Sequence, residues 1–218
     1  MLRVYFVRHG ETDWNRDGIC MGQQDIPLND VGRRQAELTA ERLAQTELAA
    51  IYSSDLIRAL QTARIIAQPH RLEPIERRAL RESDYGLWEG RTREEIERLF
   101  PESHDIDWER EDSLSFQPPG GESRQALYER TTHEFELLCA QHPDQSILVT
   151  THGGVIRAIV NYILNEEADP LMAPFYTRGF ACSNGGITLI ETNPTRGLRI
   201  SYLNDTHHLS IISPSPHP

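Results

Sequence analysis

The sequence has few cysteines, no excess of basic residues and no long apolar run. Its three cysteines are far apart and form no CxxC pair, which argues against a disulfide framework or a cysteine-rich zinc site. The 22 basic and 33 acidic residues give a formal net charge of −11, which disfavours binding to nucleic acids and anionic membranes. No window reaches the ~18 apolar residues of a membrane span, and the first residues do not resemble a signal peptide. We therefore expect a cytoplasmic, acidic protein.

Short apolar runs alternate with amphipathic segments along the chain. The runs predict strands over 2–7, 49–52 and 146–151, and a closing pair over 186–191 and 198–203. Apolar residues at helical spacing predict helices over 29–45, 123–141 and 155–164, and another that starts at Ser53-Ser54-Asp55. This alternation predicts an α/β fold, with a mainly parallel sheet covered by helices on both faces.

The length of 218 residues suits one domain, which we assign to residues 1–212. Residues 213–218 contain only Ser, Pro and His, so we expect a disordered tail that joins no core. Residues 102–112 carry six acidic side chains and one arginine. We interpret this acidic segment as a surface excursion.

Two of the predicted strands end in a histidine followed by a glycine. His9-Gly10 follows the first strand, and His152-Gly153 follows the strand over 146–151. Open α/β sheets bind ligands beyond the carboxyl ends of their strands. Arg8 precedes the first histidine, and Arg58 falls in the first turn of the helix after the second strand. If these strands are neighbours, two histidines and two arginines converge on one cleft that is open to solvent.

Such a cleft has the chemistry of phosphoryl transfer. Arginine forks bind phosphate oxygens and keep their charge, and a neutral histidine can attack phosphorus as a nucleophile. A leaving alcohol also needs an acid to protonate it, and Glu82 is one candidate among the 33 acidic residues. The pair His207-His208 lacks the spacing of a metal site, so no metal is predicted.

Several short motifs follow one another in order through residues 3–160. They are Arg8-His9-Gly10-Glu11-Thr12 with Trp14-Asn15, Tyr52-Ser53-Ser54-Asp55-Leu56 with Arg58-Ala59, Glu82 with Tyr85-Gly86 and Trp88-Glu89-Gly90, Pro119-Gly120-Gly121-Glu122-Ser123, and His152-Gly153-Gly154. The ordered set resembles the histidine phosphatase superfamily, the phosphoglycerate-mutase-like group. The resemblance implies a three-layer α/β/α sandwich with a mainly parallel central sheet.

The same resemblance implies roles for individual residues. His9 is the implied phosphorylated nucleophile, and Arg8, Arg58 and His152 complete the phosphate pocket. Glu82 is the implied proton donor to the leaving group and then the base that activates water. Further phosphate or substrate contacts are implied for Asn15, Thr12, Gly22 and Gly153. No metal or other cofactor is implied.

Phosphatases and cofactor-dependent phosphoglycerate mutases of this group share these residues. The mutases carry a basic, aromatic insert in the region after Gly90, where this chain turns acidic over 102–112. Trp88-Glu89-Gly90 also resembles the phosphatase branch more closely, so we favour a phosphatase over a mutase. A non-catalytic module that binds phospholigands is a third alternative, which is disfavoured because every catalytic residue type is present.

The expected partner is a small phosphorylated metabolite. Candidates are phosphoserine, phosphoglycerate, sugar phosphates and α-ribazole phosphate. We expect specificity to come from the segments that cover the pocket, 16–26, 84–122 and 165–185. The sequence leaves the oligomeric state open, with a homodimer as one alternative.

Overall fold

Six strands form one sheet within the residues that the computed structural model describes, which are 1–101, 114–164, 181–193 and 197–212. They are β1 (Arg3–Arg8), β2 (Ala50–Ser53), β3 (Ile75–Glu76), β4 (Ser146–Thr151), β5 (Ile187–Asn193) and β6 (Gly197–Asp205). Their order across the sheet is β3-β2-β4-β1-β5-β6. The first four strands in this order run parallel, and β5 and β6 pair antiparallel. The predicted mainly parallel sheet and its closing strand pair are therefore confirmed.

Helices cover both faces of this sheet. They are α1 (Asp13–Arg16), α2 (Asp30–Leu43), α3 (Ile57–Ala67), α4 (Arg93–Leu99), α5 (Arg124–Gln141) and α6 (Gly153–Leu164). Val7 and Leu148 of the sheet pack in a core with residues of α2 and α3. Phe6 and Val149 pack in the opposite core with residues of α5 and α6. Neighbouring residues of a strand point to opposite faces, so β1 and β4 each supply both cores, as the α/β/α sandwich requires.

Some elements differ from the prediction. The segment Ser53-Ser54-Asp55 does not start α3, which begins at Ile57 and has Leu56 as an N-cap without a side-chain hydrogen bond. The elements α1, α4 and β3 were not predicted, because two to seven residues are too few to show a period. The acidic segment 102–112 and the tail 213–218 lie outside the described residues. No helix in the described part is both long and apolar enough to cross a membrane.

The register of β1 and β4 brings their ends together. Arg8 lies opposite Thr151, so the two strands end at the same level. The backbone N–H of His9 donates to the carbonyl of Thr151 at 2.9 Å. On the other side of β4, Ser53 of β2 lies opposite Thr150. The residues that follow β1, β2 and β4 therefore share one edge of the sheet.

The exit of β1 lies directly against the first turn of α2. A methyl group on Gly10 would lie 2.3 Å from the carbonyl oxygen of Gly32, and one on Gly32 would lie 2.0 Å from that of Glu11. Only glycine permits such an approach of two backbones. Asn29 caps α2 by accepting from the N–H of Gly32 at 2.8 Å, and its amide donates to the Glu11 carboxylate at 2.9 Å. The loop after β1 and the start of α2 are thus fixed to each other.

Candidate active site

The imidazole rings of His9 and His152 lie side by side where β1 and β4 end. Their centroids are 5.1 Å apart and the rings are tilted by 58°. His9 is only 3% exposed and His152 is fully buried, so the prediction of a cleft open to solvent at His9 is wrong. The charges of Arg58 and Arg8 both act on the ring of His9 and lower its pKa. The predicted convergence of two histidines and two arginines is confirmed.

The backbone fixes the tautomer of His9. Its Nδ1 lies 2.7 Å from the carbonyl oxygen of Gly10. A carbonyl can only accept, so Nδ1 carries the proton and the lone pair of the neutral ring is on Nε2. Burial, and then the charges of Arg58 and Arg8, hold the pKa of His9 well below its usual value. His9 is therefore a neutral imidazole near pH 7, as a nucleophile must be.

Both guanidinium groups are anchored to backbone carbonyls and keep a free donor. Arg58, 1% exposed, donates from Nη1 to Gln24 and from Nη2 to Gly22, each at 2.7 Å. Burial lowers the pKa of Arg58 to about 10. Arg8 donates from Nη1 to the carbonyl of Cys182, and burial lowers its pKa too. The Nε atoms of Arg8 and Arg58 are both buried and have no acceptor among the described residues.

Ser54, which the sequence analysis assigned to a helix start, forms a hydrogen bond with His152 instead. Ser54 Oγ lies 2.9 Å from His152 Nε2 and accepts from the N–H of Leu56 at 3.3 Å. When the hydroxyl of Ser54 donates to Nε2, the ring proton of His152 is on Nδ1. That Nδ1 is buried without a partner in the described part of the chain. Burial, followed by the charge of Arg58, lowers the pKa of His152 well below its usual value.

The predicted acid, Glu82, lies at the N-terminus of α6. Its Oε2 accepts from the N–H of Gly154 at 3.2 Å, and its Oε1 accepts from that of Ser83 at 2.9 Å. A methyl group on Gly154 would lie 2.2 Å from Oε1 of Glu82, so a side chain at that position would displace the carboxylate. The charge of Glu82 raises the pKa of Arg8 and of Arg58, against the larger lowering that burial causes.

Two residues that were given no role in the sequence analysis hold the backbone of Glu82, and a third holds one of these two. Gln23 donates from Nε2 to the Glu82 carbonyl at 3.1 Å, and Arg130 of α5 donates to it from Nη2 at 3.0 Å. Arg130 also forms two hydrogen bonds with the carboxylate of Glu122, at 2.6 and 2.8 Å. Glu122 belongs to the motif Pro119–Ser123, which was the one sequence signal for this contact.

The predicted phosphate contact Asn15 is oriented by its neighbours. Thr12 caps α1 by accepting from the N–H of Asn15 at 3.2 Å, and Asn15 Oδ1 accepts from the backbone N–H of Thr12 at 3.2 Å. Asn184 donates from Nδ2 to the carbonyl of His9 at 2.9 Å and to Asn15 Oδ1 at 3.3 Å. The hydroxyl of Thr12 is thus used within the cap, and Asn184 is a further residue that the sequence did not indicate.

The two predicted glycines lie beside the arginines. Gly22, at φ +51°, provides a carbonyl to Arg58, and a methyl group there would lie 1.9 Å from the carboxylate of Glu89. A methyl group on Gly153 would lie 3.8 Å from Nε of Arg8, in ordinary contact. Gly22 is therefore required by the backbone, and Gly153 leaves space next to a guanidinium group.

The site combines a nucleophilic nitrogen, buried donors without acceptors and a carboxylate. Within the described residues, no group of three or more His, Cys, Asp or Glu side chains could hold a metal ion. Buried donors are almost always satisfied, and an anion would satisfy those of Arg8, Arg58 and His152. A phosphoryl group bound there would meet the lone pair of His9.

Comparison with known proteins identifies the family of this chain. A model of the histidine phosphatase superfamily (branch 1) matches residues 4–206. The chain belongs to this superfamily, and it is a phosphatase enzyme.

Two relatives and one solved structure show how far the similarity extends. Phosphoserine phosphatase 1 of Hydrogenobacter thermophilus is 33% identical over 209 residues, which cover 96% of this chain and 95% of that protein. Phosphoglycerate mutase-like protein 4 of Arabidopsis thaliana is 40% identical over 158 residues, which cover 72% of this chain and 68% of that protein. The structure of YhfR from Bacillus stearothermophilus matches with a TM-score of 0.83 and 28% identity, covering 96% of this chain and all of the other.

Proposed function

We propose that this enzyme hydrolyses a small phosphomonoester through a phosphohistidine on Nε2 of His9, without a metal ion. The observation that carries the proposal is the hydrogen bond from His9 Nδ1 to the carbonyl of Gly10, which aims the lone pair of Nε2 away from the backbone. The catalytic machinery lies in one domain, residues 1–212.

In the first step, Nε2 of His9 attacks phosphorus and the bond to the leaving oxygen breaks. Glu82 gives its proton to that oxygen, because an alkoxide is a poor leaving group. Arg8, Arg58 and His152 donate to the non-bridging oxygens of the phosphoryl group and stabilise their charge in the transition state. The permanent charges of the two arginines stabilise the negative charge of the phosphoryl oxygens, as a metal ion does in other phosphoryl-transfer sites.

In the second step, water attacks the phosphohistidine. Glu82, now a carboxylate, takes a proton from the water, the bond between phosphorus and Nε2 breaks, and phosphate leaves. Glu82 is then protonated again and the ring of His9 is neutral. Asn15 contributes a further phosphate contact through its amide nitrogen, since its Oδ1 is occupied by Thr12 and Asn184.

The test is to trap the intermediate. Purified enzyme is mixed with a ³²P-labelled phosphomonoester in the presence of EDTA and quenched in alkali, where a phosphohistidine survives. We expect labelled protein from the wild type and none from His9→Ala. The matched control is His133→Ala, at an exposed position of α5, which should label as the wild type does. Undiminished turnover by His9→Ala, or loss of activity in EDTA, would overturn the proposal.

A phosphoglycerate mutase remains the second candidate, because the Arabidopsis relative at 40% identity is named mutase-like. The phosphatase is favoured because the phosphoserine phosphatase relative aligns over nearly the whole of both chains. The two activities separate when 3-phosphoglycerate is supplied with and without 2,3-bisphosphoglycerate. Isomerisation that is much faster than release of phosphate, and that needs the bisphosphate, would establish the mutase.

A further inference from the structure

The mechanism above assigns no role to Arg157, a cation at the edge of the site. It lies on α6, one turn after Gly153. A methyl group on Gly153 would lie 3.5 Å from Nη1 of Arg157 and 3.8 Å from Nε of Arg8, so the glycine separates the two guanidinium groups. Nε of Arg157 is buried, and among the described residues nothing accepts a hydrogen bond from it.

Two other arginines near Glu82, Arg81 and Arg130, each form an ion pair with a carboxylate. Arg81 forms two hydrogen bonds with Asp55, at 2.6 and 2.7 Å, and Arg130 forms two with Glu122. Within the part of the chain that the structure describes, no carboxylate pairs with Arg157. A partly buried guanidinium without a counter-charge is unfavourable unless a ligand supplies the charge.

The position of Arg157 is offset from the reacting nitrogen. The charges that lower the pKa of His9 are those of Arg58 and Arg8. The charge of Arg157 lowers the pKa of Arg8, Cys182 and Tyr85, each as one of several causes. Nη1 of Arg157 therefore lies across Gly153 from the guanidinium of Arg8, where it would meet the part of the substrate next to the phosphoryl group.

We propose that Arg157 binds a carboxylate of the substrate, so that the enzyme selects phosphomonoesters that carry a carboxylate close to the phosphate. A guanidinium fork matches the two oxygens of a carboxylate, and one positive charge balances its single negative charge. A second phosphate, with about two negative charges, would exceed the one cation offered there. This inference rests on the proposed phosphatase function and adds the class of its substrates.

The test uses pairs of substrates that differ only in the carboxylate. One pair is phosphoserine and phosphoethanolamine, and the other is 3-phosphoglycerate and 2-hydroxyethyl phosphate. The value of kcat/KM is measured for each, and for p-nitrophenyl phosphate, which has no second anionic group. The variants are Arg157→Gln, Arg157→Lys and a control, Arg64→Gln, which removes an exposed charge from α3. Thermal unfolding shows whether each variant is folded.

In the wild type we expect a preference for the carboxylate in at least one pair. Arg157→Gln should reduce that preference about 10- to 100-fold, as loss of a charged hydrogen bond does, and should leave p-nitrophenyl phosphate hydrolysis within about two-fold of the wild type. Arg157→Lys should retain part of the preference, and Arg64→Gln all of it.

Three results would overturn the inference. One is a wild type whose kcat/KM shows no preference for the carboxylate in either pair, and another is an unchanged preference in Arg157→Gln. The third is an equal loss of kcat/KM on all five substrates in Arg157→Gln, which would indicate a contact with the phosphate itself. Any of these leaves the phosphatase proposal standing, as long as the wild type hydrolyses p-nitrophenyl phosphate and His9→Ala does not. A wild type that hydrolyses none of the five substrates would count against the phosphatase proposal and the inference together.

Discussion

Nη2 of Arg130 donates a 3.0 Å hydrogen bond to the carbonyl oxygen of Glu82, and so connects helix α5 to the backbone of the proposed proton donor. The side chain of the same glutamate accepts from Gly154 of α6. The carboxylate is therefore held from two helices, one through its main chain and one through its side chain. Arg130 itself does not contact the reacting atoms and is a positioning residue.

Replacement of Arg130 by Met should affect poor leaving groups most. An alkyl phosphate such as phosphoserine needs Glu82 as an acid, whereas p-nitrophenolate leaves without a proton. We expect kcat for an alkyl phosphate to fall about ten-fold or more, and kcat for p-nitrophenyl phosphate to fall much less. The partly buried Glu122 loses its partner, so the free energy of unfolding should also drop, by about 3 kcal/mol.

The control for this variant is Arg34→Met, which removes an exposed ion pair with Glu37 on α2. Because this pair is exposed to solvent, the variant should leave the unfolding free energy and both activities close to those of the wild type. Equal losses of activity on the two substrates in Arg130→Met would mean that Arg130 supports the fold only.

Adjacent glycines give a second, matched comparison. In Gly154→Ala the new methyl group would lie 2.2 Å from Oε1 of Glu82, whereas in Gly153→Ala it would lie no closer than 3.5 Å to its neighbours. Because the first methyl group displaces the carboxylate, we expect Gly154→Ala to lower kcat at least about ten-fold more than Gly153→Ala does. Steady-state kinetics on one alkyl phosphate measure this, and similar values for both variants would contradict the assigned position of Glu82.

Ser53 and Ser54 allow the effect of a buried hydroxyl on catalysis to be separated from its effect on stability. Ser54 bonds His152, whereas the hydroxyl of Ser53 donates to the carbonyl of Ser54 at 2.7 Å. Both are fully buried, so each Ala variant should lose about 1–3 kcal/mol of unfolding free energy. Only Ser54→Ala should also lower kcat/KM, because the ring of His152 then loses its hydrogen-bond partner at Nε2. Equal kinetic effects in the two variants would refute this assignment.

The two buried histidines make stability depend on pH. In the unfolded chain a histidine binds a proton below about pH 6.5, but the folded protein holds the pKa of His9 and His152 well below that. The unfolded state therefore binds more protons, and the free energy of unfolding falls as the pH drops below about 6.5.

Urea denaturation at pH 7 and pH 5 measures this dependence. We expect a lower midpoint at pH 5, a smaller difference between the two midpoints in His152→Asn, and an unchanged difference in His133→Asn, whose imidazole is exposed. A wild type that is equally stable at both pH values would contradict the assigned protonation states.

The sequence predicts the sheet and the centre of the site well, for a physical reason. Parallel strands that end in chemically distinctive residues, such as His9 and His152, identify the ligand edge without any knowledge of their packing. Helix α5 was predicted to within one residue, because Ser123 is a good N-cap and the helix is long.

The sequence does not predict contacts between distant side chains. Nothing local relates Arg130 to the backbone of Glu82, which is 48 residues away in the chain. Ser54 matched the pattern of a helix cap, but its hydroxyl bonds His152, 98 residues further on. Local capping preference is weak compared with the need to satisfy a buried histidine, so the tertiary contact determines what Ser54 does.

The contact between Gly10 and Gly32 restricts how this enzyme can change. Each glycine faces main-chain atoms, so no smaller neighbour can be substituted to make room for a side chain at either position. Substitution of Gly10 or Gly32 therefore cannot move His9 to a new position without disrupting the backbone. We expect redesign or divergence of this enzyme to proceed through the surfaces that meet the rest of the substrate, while the distance between the nucleophile and its anion-binding donors stays constant.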